Sequence, residues 1–526
     1  MKRWVDAPVN VVLISTYELG RQPFGLASPA AWLRQRGAAV ACMDLSREAF
    51  REEPIRAADL VAFFIPMHTA TRLAVELVEP VRRLNPRAHL CFYGLYAPVN
   101  ESYLRGLGVD TILGGEFEAG LAHLVERLAS TREPAGSSSK SRFSDLRPRQ
   151  VGAIGVPTSD LVRPGGLGMT NSAGAGPSAR PAGAHGGSPL QSESLSAQAE
   201  PVISLERQQF IVPDRAGLVP LEQYAHLILP GGAHRTVGYT EASRGCKHLC
   251  RHCPIVPVYN GVFRVVQREV VLEDIRRQVA AGAQHITFGD PDFFNGIGHA
   301  LAIVEALRGE HPQLTYDATI KIEHLLKHAQ HILTLRETGC LFVTSAVESV
   351  DDAVLARLDK GHTRADFLAV VELFRDAGLA LQPTFVPFTP WTTLEGYCDL
   401  LEVLRGNGLV ENVAPVQLAI RLLIPAGSRL LELAEMRALV EPFDQAALVY
   451  PWKHADPRVD ALCAEVQELV RIGEKLNRSR TQTFRRIWQA AAVAAEAAGF
   501  TQAALRPEPA LLARAAIPYL NEPWYC

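Results

Sequence analysis

The chain carries two series of short apolar runs that alternate with amphipathic segments, and a stretch rich in Gly, Ser, Pro and Ala separates them. In the first series the runs are "NVVLIS" (10–15), "AVACMD" (39–44), "LVAFFIP" (60–66), "HLCFYG" (89–94) and "DTILGG" (110–115). Helical patterns such as "TATRLAVELVEPVRRL" (69–84) lie between them. Runs this short and this continuously apolar suit strands covered on both faces, so residues 1–130 are expected to form a doubly wound parallel α/β sheet. Its ligands belong at the carboxyl ends of the strands.

The second series runs "TVGYTEA" (236–242), "HITFGD" (285–290), "LTYDATI" (314–320), "CLFVTSAVE" (340–348), "LALQPTFVPF" (379–388) and "PVQLAIRLLIP" (415–425). The helical patterns between these runs mostly end in Gly, a usual helix stop. Six such units predict a partial (β/α)6 barrel over residues 206–430, with its chemistry at the carboxyl ends of the strands. Residues 431–526 read as a helical extension. Residues 131–205 hold too few large apolar side chains to offset the entropy of ordering, and are expected to be a disordered linker.

A net charge of −3 gives no electrostatic footprint for nucleic acid. No apolar run approaches the roughly 18 residues of a membrane span. The nine cysteines are odd in number and mostly scattered, which argues against a disulfide framework. A cytoplasmic chain with reduced thiols, and with neither nucleic acid nor membrane as partner, is the expectation.

Three of the nine cysteines break that scatter. Cys246, Cys250 and Cys253 lie in "SRGCKHLCRHCPIV" with the spacing C-x3-C-x2-C, directly after the first barrel strand. Clustered thiolates bind zinc or iron–sulfur clusters. A structural zinc site wants four ligands, usually in two pairs, and there is no second CxxC. His248 or His252 could supply the fourth, which keeps a zinc module open as the alternative. A [4Fe–4S] cluster on three cysteines leaves one iron without a protein ligand, a vacant position for a substrate or cofactor.

Spacing and barrel position together resemble the radical SAM superfamily. That resemblance implies that Cys246, Cys250 and Cys253 ligate a [4Fe–4S] cluster and that S-adenosylmethionine (SAM) chelates the open iron. It also implies that one electron, from a flavodoxin- or ferredoxin-type donor, cleaves a carbon–sulfur bond of SAM. His252 stands where the superfamily often has an aromatic residue. Asp290 and Asp292 in "GDPDF", and Glu348 with Ser349 in "AVESVDD", look like SAM contacts. Either aspartate, or Ser349, could instead cap the helix that follows. Arg421 in "VQLAIRLL" would need an anionic partner such as a carboxylate if it faces into the barrel, and would be solvated on the other face.

The sheet ahead of the barrel, with "PFGLASPAAWLRQRG" (23–37), "FYGLYAPVNESYL" (92–104) and "DTILGGEFEAGL" (110–121), resembles the cobalamin-binding class of that superfamily and its Rossmann-like domain. The D-x-H-x-x-G signature is absent, so the resemblance implies cobalamin held without a protein histidine. More narrowly, "LISTYELGRQPFGLASPAAWL" and the ending "PYLNEPWYC" look like the CUAEP/CCAEP-tail radical SAM proteins. Cys526 matches the first residue of that tail, which implies a UGA selenocysteine codon directly after it. The expected function is cobalamin-dependent methyl or alkyl transfer, or radical rearrangement, on an unknown small molecule or peptide. The alternative is a non-catalytic zinc or iron–sulfur regulatory module. A nucleotide enzyme ranks last, because no GxGxxG follows the first strand.

Overall fold

The computed structural model describes residues 8–131, 200–499 and 518–520. Residues 132–199 of the expected linker, and Cys526 with the tail motif it was read from, lie outside the described residues.

The amino-terminal strands are β1 (Asn10–Ser15), β2 (Ala39–Asp44), β3 (Leu60–Phe64), β4 (His89–Tyr93) and β5 (Thr111–Gly115). They pair in parallel in the order β2-β1-β3-β4-β5, the doubly wound arrangement expected. β3 and β5 are buried at every residue, as strands with helices on both faces must be. Leu13, Leu60, Ala62 and Cys91 pack on one face, and Ile14, Val61, Phe63 and Leu90 on the other. The single helix read over 69–84 is two, His68–Val75 and Val78–Leu84.

The linker boundary needs one correction. β6 (Ile203–Ser204) adds a sixth parallel strand beside β5, and Arg127 holds Glu200 in a two-bond ion pair at 3.0 and 2.7 Å. The two-residue strand carries no periodicity that a sequence pattern could register.

The second sheet begins with β7 (His226–Ile228) and β8 (His234–Thr240). The hairpin β9 (Ser243–Gly245) and β10 (Phe263–Val265) follows them. β11 (His285–Phe288), β12 (Thr315–Thr319), β13 (Cys340–Glu348) and β14 (Ala380–Phe385) complete a parallel half-barrel with β8. The full order is β14-β13-β12-β11-β8-β7-β15, where β15 (Tyr519–Leu520) closes the edge antiparallel to β7. The sixth barrel strand, read over 415–425, is met as a single parallel bridge between Phe388 and Arg421. Pro415–Leu418 instead winds into a 3-10 turn.

One apolar cluster joins the barrel residues Phe288, Tyr316 and Phe385 to Val466 and Ile487 of the carboxyl-terminal helices Pro457–Lys475 and Arg480–Ala497. The two sheets meet through buried polar contacts: Tyr224 donates to Asp44 at 2.8 Å, and Gln22 donates to the Val219 carbonyl at 2.8 Å. Among the described residues no helix is long and apolar enough to cross a membrane.

Candidate functional site: a three-thiol loop at the barrel mouth

The cysteines lie where β8 delivers the chain to the mouth. Gly245 opens the loop at φ +72°, and a Cβ there would meet the Tyr259 ring and the Val262 carbonyl oxygen at 2.4 Å, so only glycine fits. Asp290, just past β11, fastens the start of the loop by accepting from Ala242 N at 2.9 Å and Ser243 Oγ at 2.5 Å. Lys247 donates to the Asn295 carbonyl at 2.6 Å, and Arg251 N to the Leu358 carbonyl at 2.9 Å. The loop is thus tied to the segment after β11 and to the helix after β13, and Cys253 N donates to the Cys250 carbonyl at 3.2 Å within it.

Cys246 and Cys250 are buried, Cys253 is half-buried, and none is in a disulfide. Burial pushes the Cys253 thiol up to about 12, and the neighbouring Cys250 and Cys246 sulfurs add to the rise. Burial also raises Cys246, against the pull of Asn295 and Lys321. Thiols this buried stay protonated until a cation takes them as thiolates. Cations are at hand. Lys321 Nζ lies 3.8 Å from Cys250 Sγ. Although burial disfavours its charge, Glu348 and the sulfurs of Cys250 and Cys253 hold the Lys360 ammonium above its ordinary value.

Glu348 ends β13 at φ +69°, a left-handed conformation uncommon for a residue with a side chain, next to a register shift between β13 and β14. That kink aims its carboxylate at Lys360 Nζ, 3.2 Å away, and at His252 Nε2, 3.1 Å away. Burial works against the charge, yet Lys360 and His252 bring the carboxyl down to about 2. Ser349 accepts from Asp351 N at 3.0 Å, and it is Asp351 that caps the following helix, through Ala353 N and Val354 N. Asp292 caps the 3-10 turn Phe293–Gly296. Arg421 meets a carboxylate partner: it pairs with Asp460 at 2.6 Å and stacks 3.6 Å from the Trp452 ring centre.

Burial raises Asp290 from 3.8 to about 7 against its bonds from Ser243 and Ala242. A carboxyl that binds its proton more tightly folded than unfolded contributes stability that is complete below about pH 4 and is lost as pH rises to about 7. Urea melts of the metal-free protein are expected to show that loss, and Asp290→Asn to flatten it. Parallel stability curves for the two proteins would contradict this.

Sequence reading missed a second constellation, at the seam between the sheets. Arg244 of β9 is buried against Glu118 at 2.7 Å, Glu241 at 2.6 Å and Glu116 at 3.5 Å. The rings of Phe24, Phe117 and Phe210 lie within 5.1–5.7 Å of its guanidinium carbon. Burial raises Glu116 to about 7, whereas Arg244 holds Glu118 low despite its burial. The position of Glu116 at a strand's carboxyl end was the one available signal. Beside this cluster a cavity of about 190 Å³ is lined by Gly25, Phe64, Gly94, Gly115, Phe117 and Tyr259 among others.

A doubly wound sheet joined to a half-barrel whose first strand ends on three clustered thiols defines a thiolate-bearing partial-barrel protein. Residues 240–401 match the family model of the Radical SAM superfamily, so over those residues the chain is similar to that superfamily's domain. It is 24% identical over 195 residues to the tRNA-2-methylthio-N(6)-dimethylallyladenosine synthase of Desulfosudis oleivorans, covering 35% of this chain and 41% of that protein. It is 24% identical over 151 residues to the hopanoid C-3 methylase of Methylococcus capsulatus, covering 29% of each. The chain thus matches less than half the length of these curated relatives. In fold it is similar to the cobalamin-dependent S-adenosylmethionine radical enzyme OxsB, with a TM-score of 0.60, 12% identity, and coverage of 88% of this chain and 67% of that one. The radical S-adenosylmethionine methyltransferase TsrM from Kitasatospora setae gives a TM-score of 0.52, 15% identity, and coverage of 76% and 71%.

Proposed function

We propose that this protein is a radical SAM enzyme in which Cys246, Cys250 and Cys253 hold a [4Fe–4S] cluster and SAM completes its fourth iron. The observation that carries this reading is three clustered thiols, two buried and one half-buried, with no fourth cysteine beside them among the described residues, flanked by Lys321 and Lys360. The donor set fits the group: three thiolates around an anionic cluster need buried cations to offset their charge. When bound, the cluster supplies the electron that cleaves the sulfonium of SAM.

The chain's own residues do the rest. Lys321 and Lys360 stabilise added negative charge and favour reduction. Glu348 orients Lys360 and His252, and its position at the kinked end of β13 suits a carboxylate that receives the SAM amino group. Ser349 lies beside it. Asp290 positions the loop, and Asp292 stands behind it. We assign the sheet over residues 1–130 and the barrel over 206–430 as the two domains that enclose the reaction, with Arg421 anchoring the helical extension.

The finer reading, methyl or alkyl transfer through cobalamin, is supported by the fold likeness to OxsB and TsrM. The cavity of about 190 Å³ at the seam is open to solvent and is lined by Gly94 and Gly115 at the carboxyl ends of the first sheet's strands and by Gly25, the place where such a sheet takes its ligand. No step is derived through that group.

Anaerobic reconstitution tests the proposal. About four irons per chain and SAM cleavage on reduction are expected. Uptake of one zinc in place of iron, with no cleavage, would establish the regulatory module instead.

A further inference from the structure

Three side chains converge beside the cysteine loop from separate elements. His248 belongs to the loop, Asp292 follows β11, and His324 sits in the helix Ile322–Lys327. One donor atom of each lies within 4.8 Å of the other two. Asp292 Oδ2 is 2.6 Å from His324 Nδ1 and 3.5 Å from His248 Nε2. The Asp292 side chain is fully buried, and those of His324 and His248 are only 10% and 14% exposed.

No ring hydrogen is aligned on Asp292 Oδ2, so the three atoms meet as an ion pair without hydrogen-bond geometry. The other carboxylate oxygen is occupied, by Phe294 N at 3.2 Å and Lys321 N at 3.5 Å. A buried carboxylate oxygen and two ring nitrogens that meet without aligned hydrogens are poorly compensated for their lost hydration. Three orphaned donors aimed at one point are what a shared cation would satisfy. The second nitrogen of His248, Nδ1, faces Glu323 Oε2 at 3.4 Å, the outer-carboxylate arrangement that leaves the opposite nitrogen free to coordinate.

We propose that Asp292 Oδ2, His248 Nε2 and His324 Nδ1 bind one divalent transition-metal ion, Zn²⁺ or Fe²⁺. Two imidazoles and one carboxylate are the donor set that such borderline ions take, with coordination positions left open. Mg²⁺ and Ca²⁺ prefer all-oxygen cages and are poorly served here. His248 lies between Cys246 and Cys250, so one loop contributes to both metal centres. The inference goes beyond the proposed function and does not depend on it, because the triad uses none of the three thiols.

The test uses the full chain carrying Cys246→Ala, Cys250→Ala and Cys253→Ala together, titrated anaerobically with Co²⁺. One Co²⁺ per chain is expected, with ligand-field absorption and no thiolate charge-transfer band. Adding His324→Ala or Asp292→Asn should weaken binding at least ~100-fold. A folded triple variant that binds no Co²⁺, or binds it unchanged after either substitution, overturns the proposal and leaves a plain buried ion pair. Should the triple variant not fold, metal analysis of the reconstituted wild-type chain decides. One Zn²⁺ above the cluster iron, lost in His324→Ala while the cluster absorption stays, supports the site. No excess Zn²⁺, or its retention in His324→Ala, overturns it.

Discussion

Cys250→Ala is expected to take cluster iron from about four per chain to below one and to bring SAM cleavage down to background. Three sulfurs leave no redundancy. Among the described residues the other cysteines, Cys42, Cys91, Cys340, Cys398 and Cys463, are buried in the two sheets or their helices and cannot move to the mouth. Stability of the metal-free chain should change little, because the thiol's hydrogen-bond contact is the long one from Lys321 at 3.8 Å. Iron analysis and quantification of SAM fragments check the prediction. A variant that keeps its iron and still cleaves SAM would remove the basis for the function proposed here.

Arg244→Met should destabilise the protein by about 3–5 kcal/mol, the cost of leaving buried carboxylates without their cation. Glu118 is fully buried and loses both guanidinium bonds, at 2.9 and 2.7 Å, keeping Ser28 Oγ at 2.6 Å and the long contact from Gln208 Nε2 at 3.5 Å. Removing the charge on the other side as well, with Glu118→Gln and Glu116→Gln, should restore much of the loss, since matched replacement of a buried ionic group is often neutral. Urea unfolding measures both. A loss below about 1 kcal/mol for Arg244→Met alone would mean that water or another cation reaches these carboxylates.

The first sheet was legible because its strands are apolar at nearly every position, a signal that neighbouring residues carry by themselves. The last barrel unit was not. "VQLAIRLL" alternates like a strand, but the Gln417 side chain turns inward to accept from Phe385 N at 3.2 Å, and Arg421 is claimed by Asp460. Both partners lie more than 30 residues away in sequence, so no local pattern records the competition. The same holds for the site. Spacing and barrel position together pointed to the three cysteines. Lys321 could have been found from its place just past β12. Lys360, His324 and Arg244 become functional only through folding that brings distant segments together.

The closing strand β15 has a consequence of its own. An open parallel sheet ends in a row of bare amide and carbonyl groups, a template on which a second molecule can add its own backbone. Here Tyr519 and Leu520 lie against β7, Gln382 holds the Pro518 carbonyl at 2.6 Å, and the Arg480 guanidinium lies over the Tyr519 ring. Residues 518–520 thus cover that rim, and removing them should leave a sheet edge prone to stacking with copies of itself.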